Sequence, residues 1–126
     1  MAGTKPHKIA QIAIAVRDLE RAKSFYRDSL GLEWLGDAPP GLSFFRCGEV
    51  RLMLSQPEGP ETAGNSILYY GVDDAEAAHE ALAAKGVAFE QKPHVVGRLG
   101  DTEVTLAICR DSEGNLLGLM SERQVG

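Results

Sequence analysis

The stretch AVRDLERA at residues 15–22 is repeated as GVDDAEAA at residues 71–78, so the second copy begins 56 residues after the first (71 against 15). Each copy joins an apolar run to an aspartate that can cap a helix, and each predicted helix ends at a glycine, Gly31 or Gly86. A period close to half of the chain length predicts two copies of one supersecondary unit that share a core. A site built between two such units should draw equivalent residues from both.

The bulk composition narrows the class of protein and its partners. A length of 126 residues, 44% of them hydrophobic and 25% charged, is typical of one soluble domain, which we place at residues 1–126. The net charge of −5 and the lack of a basic run argue against nucleic acid as a partner. No stretch approaches the roughly 20 apolar residues of a membrane span, and residues 1–8 do not resemble a signal peptide. With two widely spaced cysteines read as reduced thiols, we expect a cytoplasmic protein without a membrane partner.

The first module is predicted to span about residues 8–55. Asp18 caps an amphipathic helix of about three turns, in which apolar residues recur at spacings of three and four until Gly31. One strand precedes this helix and three follow it. The predicted strands are Ile9–Val16, Leu32–Gly36, Leu42–Arg46 and Val50–Ser55.

The second module is predicted to span about residues 66–122, after a connector at 56–65 that is rich in proline and glycine. Its helix follows Asp74 and stops at Gly86. Residues 91–102 are predicted to form a long loop that contains Pro93, His94 and Arg98. The predicted strands are Ser66–Val72, Val87–Glu90, Glu103–Cys109 and Leu116–Ser121, so the order βαβββ occurs twice.

Two motifs resemble a known superfamily. QIAIAVRDLE at residues 11–20 with the later Phe-Tyr and Leu-Gly-Leu steps, and RDSEGNL at residues 110–116, are similar to the vicinal oxygen chelate superfamily. That group includes glyoxalase I, extradiol dioxygenases and bleomycin-resistance proteins. The resemblance implies an α+β fold in which two βαβββ modules form a curled, cup-shaped mixed sheet with helices on the outer face. It also implies a homodimer, since small members usually pair.

The same resemblance implies where a metal would bind. In the enzymes, a His or Gln on each first strand and a Glu on each last strand hold one divalent metal. Those positions fall on Gln11, Ile67, Met53 and Gly118 of this chain, and of these only Gln11 offers an oxygen ligand. A slip of one residue on the last strands would put leucines there instead. We therefore expect no metal and no cofactor.

Strand alternation extends the predicted ligand-binding wall beyond these four positions. If Gln11 points into the cup, alternate residues on the neighbouring strands do so too, and Trp34 and Phe45 are further candidates for aromatic surface. The predicted ligand-binding residues are Gln11, Arg51, Met53, Ile67, Tyr69, His94, Gly118 and Met120. This wall has few polar groups and suits a partly apolar or aromatic small organic ligand. The alternative is that these side chains fill a closed core.

The three histidines are scattered and show no metal-binding spacing. His7 is expected in the N-terminal tail and His79 on the solvent side of the second helix. His94 is either an exposed loop residue or a group that works on a ligand, as hydrogen-bond donor or general acid/base.

Two functions from different classes remain. The first is a metal-independent small-molecule-binding protein of the bleomycin-resistance type, which acts by sequestration. The alternative is an enzyme of the same superfamily, a lyase, isomerase or dioxygenase, that uses His94 with Tyr69 or Glu103 as an acid/base pair, or a misaligned metal site. A partner-binding domain would need a large exposed apolar patch, which the sequence does not show.

Overall fold

The structure of the protein is a computed structural model that describes residue 4, residue 6, residues 8–57 and residues 65–125. The chain divides into two compact units, Met1–Asn65 and Ser66–Gly126. His7 lies outside the described residues, so its place in a tail stays a prediction. The description of residues 1–126 as one domain also stays a prediction.

The first unit has the predicted order βαβββ. Its elements are β1 (Gln11–Ala15), α1 (Leu19–Ser24) with a π-helical continuation (Phe25–Ser29), β2 (Glu33–Ala38), β3 (Leu42–Cys47) and β4 (Val50–Ser55). The sheet order is β1-β4-β3-β2, in which β1 runs parallel to β4 and the other pairs are antiparallel. The connection from β1 to its neighbour β4 passes through the helix and the other two strands, which allows the two strands to run parallel. This parallel pair lies at one edge of a mixed four-stranded sheet.

The helix of this unit starts as predicted but ends differently. The Asp18 side chain accepts a hydrogen bond from the Arg21 amide over 3.1 Å, and Gln56 Oε1 accepts one from the Leu19 amide over 2.7 Å. From Phe25 onward the helix widens to a π-helical turn, in which the Leu30 amide donates to the Phe25 carbonyl over 2.9 Å. The predicted regular helix is therefore wrong in its second half.

One face of this sheet packs against α1 and forms the core of the unit. α1 lies against β3 and β4, whose inward side chains alternate with exposed ones. The buried side chains here include Ile14, Ala22, Tyr26, Phe45, Leu52 and Leu54. The opposite face of the sheet carries Gln11, Arg51 and Met53, which are among the predicted ligand-binding residues.

The second unit repeats the arrangement. Its elements are β5 (Leu68–Gly71), α2 (Ala75–Ala84), β6 (Phe89–Leu99), β7 (Thr102–Arg110) and β8 (Leu116–Gln124), and the sheet order is β5-β8-β7-β6 with β5 parallel to β8. The Asp74 side chain caps α2 by accepting from the Glu76 and Ala77 amides over 2.9 and 3.2 Å. Gly86 follows the helix with φ of 88°, the left-handed conformation that glycine adopts without strain.

The prediction of a loop at residues 91–102 is wrong, because most of this segment belongs to the 11-residue strand β6. β6 pairs with β7 from Phe89 to Leu99 with three register shifts, two of which lie at Pro93 and Gly97. Proline is tolerated because β6 is an edge strand, so its missing amide hydrogen breaks no ladder on the open side. His94 and Arg98 therefore lie on a strand.

Neither described helix is long and apolar enough to cross a membrane.

Candidate functional site

Three of the predicted ligand-binding residues share the face of the first sheet that lies opposite α1. Gln11 is paired with Arg51 in the parallel register of β1 and β4, and Met53 lies two residues further along β4 beside Phe44 of β3. The leucines on either side of Met53, at positions 52 and 54, are 2% and 0% exposed on the helix side. If the implied metal-ligand position on β4 were one residue before or after Met53, it would fall on a leucine that is buried in the core.

The three side chains contact one another. Arg51 Nε donates a hydrogen bond to Gln11 Oε1 over 2.6 Å, and the Arg51 guanidinium carbon lies 5.7 Å from the centre of the Phe44 ring. Gln11 Nε2 donates weakly to Met53 Sδ over 3.7 Å. The amide of Gln11 thus lies between a cation and a thioether, which fixes its orientation.

These residues line an open groove with a volume of about 460 Å³. A bulge in β2 adds Leu35: Trp34 pairs with Phe45 and Gly36 with Phe44, so Leu35 has no partner on β3. The lining residues are Gln11, Leu35, Gly36, Asp37, Phe44, Arg51 and Met53. Four lining residues were not predicted from the sequence: Leu35, Gly36, Asp37 and Phe44. The bulge changes which face Leu35 occupies and leaves no clear pattern in a six-residue strand, and Phe44 faces the groove because it is opposite Met53 in the register between β3 and β4.

The two aromatic candidates from the sequence do not line this groove. Phe45 is fully buried against α1. Trp34 Nε1 donates to Asp37 Oδ1 over 3.3 Å and to Ser43 Oγ over 3.1 Å, and Ser43 is itself fully buried. Phe45 is opposite the buried Leu52 of β4 and is the partner of Trp34 on β2, so both aromatic residues belong to the helix side of the sheet.

A polar cluster that includes the lining residue Asp37 fixes the end of β2. Lys23 Nζ donates to Asp37 Oδ2 over 2.7 Å and lies 5.2 Å from the centre of the Trp34 ring. The hydrogen bond from Lys23, with a second contribution from Ser43, holds the pKa of Asp37 below its ordinary value of 3.8. The same hydrogen bond raises the pKa of Lys23 above 10.5. Both groups are therefore charged near neutral pH.

In the second sheet, Tyr69 and Gly118 are partners across β5 and β8. The Tyr69 ring lies directly on Gly118, so a Cβ added at Gly118 would overlap the ring and would also lie 3.2 Å from Leu106 Cδ1. Met120 continues the row, opposite Gly71 on β5 and Leu106 on β7. Ile67 is 40% exposed and comes one residue before β5 begins. This face is an apolar surface built around a half-exposed tyrosine.

His94 lies in a different environment from that row. It lines a groove of about 530 Å³ beside the start of α2, together with Glu103 and Arg123. His94 Nδ1 donates to the Lys92 carbonyl over 2.8 Å, which places the proton of the neutral ring on Nδ1. Glu103 accepts a hydrogen bond from Arg123 over 2.8 Å. Of the two predicted acid/base partners, Glu103 lines the same groove as His94, and Tyr69 is not among the residues that line it.

The sequence predicted that His79 lies on the solvent side of α2, and this prediction is wrong. His79 is half-buried, and its ring lies 4.4 Å from the Phe89 ring in an edge-to-face contact. The ring therefore packs α2 against β6.

The implied metal ligands do not fit a divalent metal. Gln11 Oε1 already accepts from a guanidinium, whose charge would repel a cation at that oxygen. Met53 presents a soft thioether, and Ile67 and Gly118 present no donor atom. Within residues 8–57 and 65–125, no three or more His, Cys, Asp or Glu side chains form a group that could hold a metal ion.

Comparison with known proteins identifies a superfamily. The profile of the Glyoxalase/Bleomycin resistance protein/Dioxygenase superfamily matches residues 8–119. The chain is 30% identical over 125 residues to the uncharacterized protein YraH of Bacillus subtilis (strain 168), covering 87% of this chain and 94% of YraH. It is also similar to the structure of a lactoylglutathione lyase from Agrobacterium tumefaciens, with 25% identity and a TM-score of 0.73 over 93% of this chain and 95% of that chain. A superfamily member from Sphaerobacter thermophilus DSM 20745 has a TM-score of 0.78 at 20% identity, over 92% of this chain and 98% of that chain.

Proposed function

Because the chain belongs to the Glyoxalase/Bleomycin resistance protein/Dioxygenase superfamily, we propose that it is a metal-independent protein that binds a small, partly apolar organic compound. The family and the α+β fold predicted from the motifs are confirmed. The ligand and the independence from metal are the proposal. One observation carries it: of the four positions where the family resemblance implies metal ligands, Met53, Ile67 and Gly118 offer no oxygen or nitrogen donor. The oxygen of the fourth, Gln11, accepts a hydrogen bond from Arg51.

The groove on the first sheet supports binding of a small molecule. Its volume of about 460 Å³ falls within the usual range of roughly 300–1,000 Å³ for such sites. Phe44, Met53 and Leu35 supply apolar contact, and Gln11 and Arg51 supply polar groups at one end. A few polar groups on a largely apolar wall fix the orientation of a ligand without reacting with it.

The experiment that tests metal independence is native mass spectrometry of protein purified without chelator and then offered Ni, Zn, Mn and Fe(II). We expect no stoichiometric adduct with any of them, and an unchanged melting temperature. The Gln11→Ala variant is the control, since it removes the one oxygen donor among the implied ligands. A metal that is retained at one per site and is lost in Gln11→Ala would overturn the proposal.

An enzyme is the second candidate, and the groove beside α2 favours it. There the protonated Nδ1 of His94 leaves Nε2 able to accept a proton, and Glu103 lines the same groove. The similarity to a lactoylglutathione lyase supports a lyase as the first activity to assay. An acid/base enzyme predicts a bell-shaped pH profile and a rate loss of roughly 100-fold in His94→Gln. A binding protein predicts no turnover in either form.

We further propose a homodimer that works in the cytoplasm. Cys47 and Cys109 are both free thiols, which suits a reducing compartment. Light scattering after size-exclusion chromatography is expected to give twice the chain mass of 13.6 kDa. A monomer at micromolar concentration would contradict the dimer without affecting the ligand proposal.

A further inference from the structure

Arg51 differs from other arginines of the protein in its charge balance. Four arginines, at positions 27, 46, 110 and 123, each lie within ion-pair distance of a carboxylate. Among the described residues, no carboxylate lies within that distance of Arg51, whose partners are the neutral Gln11 and the Phe44 ring. The one carboxylate among the lining residues, Asp37, is paired with Lys23 at 2.7 Å. The groove thus contains a cation, Arg51, that has no acidic partner, in a chain with a net charge of −5.

The guanidinium of Arg51 is also oriented before any ligand arrives. Its Nε is held by Gln11 Oε1 at 2.6 Å, and its carbon lies 5.7 Å from the centre of the Phe44 ring. A free arginine side chain carries about 2 kcal/mol of rotamer entropy, part of which these two contacts have already removed. Neither terminal Nη group donates a hydrogen bond within the described part of the chain, so both remain able to bind two oxygens of one group.

A second donor lies beside the guanidinium. Gln11 Nε2 donates only to Met53 Sδ, at 3.7 Å. A thioether sulfur is a weak acceptor, so an oxygen of a ligand would form a stronger hydrogen bond with this amide. The other residues of the groove include the apolar side chains of Leu35, Phe44 and Met53. A planar ring resting on them would place an attached anionic group at Arg51 and Gln11.

We propose that the groove selects an aromatic carboxylate, with the carboxylate bound by the two Nη groups of Arg51 and by Gln11 Nε2. This inference rests on the proposed function and adds the ligand class to it. A carboxylate matches the planar fork of an arginine in shape and charge, whereas a neutral amide of the same size offers one oxygen and no charge. The groove therefore selects a ligand with a negative charge at one end, and the rest of the ligand makes apolar contacts.

The test uses a fragment panel of matched pairs, each an aromatic acid and its primary amide: benzoate with benzamide, 2-naphthoate with 2-naphthamide, and indole-3-acetate with indole-3-acetamide. Binding is followed in ¹H–¹⁵N spectra at pH 7 through the Arg51 Nε–H and the Gln11 side-chain amide, which lie in the groove. We expect acids to bind about tenfold tighter than their amides, or more, as a charged hydrogen bond provides.

Two variants make the test specific. Arg51→Gln removes the cation and should reduce the preference for acids to about twofold or less while the amides bind as before. Arg46→Gln is the matched control: it removes the same charge from the neighbouring strand, where Arg46 pairs with Arg51 in register and has Glu33 as its partner at 3.8 Å. This control should keep the preference. The dispersion of the backbone amide spectrum shows that each variant is folded.

The outcomes separate the two proposals. Equal binding of acids and amides, or a preference that survives in Arg51→Gln, would overturn the inference and leave the binding function standing. If no fragment of the panel perturbs the groove resonances, both the ligand class and the small-molecule site are refuted.

Discussion

Replacing Asp37 by asparagine should destabilise the first unit, because Asp37 neutralises a cation that is almost buried. The Lys23 side chain is 11% exposed, and its Nζ lies 2.7 Å from Asp37 Oδ2. Its other acidic partner, Glu20, lies at 3.4 Å and is 81% exposed. In Asp37→Asn the ammonium group keeps only that exposed partner, and water can reach it poorly.

The magnitude follows from the exposure of the two groups. A hydrogen bond to a charged group contributes about 1.5–3 kcal/mol, and the Asp37 side chain is 43% exposed, so solvent screening reduces this value. We expect the free energy of unfolding to fall by about 1–2 kcal/mol. For a chain of 126 residues this corresponds to a melting temperature lower by about 4–8 °C. Asparagine retains an oxygen that can accept from Trp34, which keeps the loss from being larger.

The pH dependence gives the prediction its sign. The pKa of Asp37 is lowered in the folded state by Lys23, so its contribution is present above about pH 4 and is lost as the pH falls through the folded-state pKa. The pKa of Lys23 is raised above 10.5, so its contribution is present below that value and is lost as the pH rises through the folded-state pKa. The difference between wild type and Asp37→Asn should be constant from about pH 5 to 9 and should shrink below pH 4.

Urea unfolding followed by circular dichroism measures this difference at each pH. Glu33→Gln is the matched control, a carboxylate-to-amide change on the same strand. Glu33 lies 3.8 Å from Arg46, and both side chains are more than half exposed, so this pair should contribute at most about 0.5 kcal/mol. Equal losses in the two variants, or a difference that does not shrink below pH 4, would refute the reasoning.

Three further predictions concern other parts of the chain. Burial, with a smaller contribution from a nearby aspartate, raises the pKa of Cys109 to about 11; Ellman's reagent at pH 8 should therefore titrate Cys47 alone in the native protein, and two fast thiols would contradict this. Gly118→Ala should displace the Tyr69 ring, which is 51% exposed, with changed ring resonances and a lower free energy of unfolding; in a Tyr69→Ala background the same change should cost less, because only the 3.2 Å contact with Leu106 Cδ1 remains. Asn65→Ala removes two hydrogen bonds, of 3.1 and 3.0 Å, between the Asn65 side chain and the backbone N–H and C=O of Ala15 at the end of β1. It should lower the free energy of unfolding in urea by about 1–2 kcal/mol, and a loss below about 0.3 kcal/mol would show that these bonds contribute little.

The sequence by itself determined the features that depend on local spacing. The repeat at residues 15–22 and 71–78 was sufficient for two βαβββ units, because an aspartate cap and a glycine stop act within a few residues of their helix. The family resemblance placed Gln11 and Met53 on the predicted ligand-binding wall, and strand alternation put Arg51 on the same face of its strand as Met53, since successive side chains of a strand point to opposite sides. The helix caps, the glycine stops and the alternation each depend on residues a few positions apart.

Only the tertiary structure decided the features that depend on pairing between distant segments. Residues 91–99 form a strand because β7 is there to receive them, although Pro93 and Gly97 favour a loop in isolation. The bulge that turns Leu35 into the groove exists only in the register between β2 and β3. The choice of Phe44 over Phe45 comes from the register between β3 and β4, in which Phe44 is opposite Met53 and Phe45 is opposite the buried Leu52. The groove that holds Arg51 depends on these two registers of the first sheet, since strand pairing and not local preference brings its residues together.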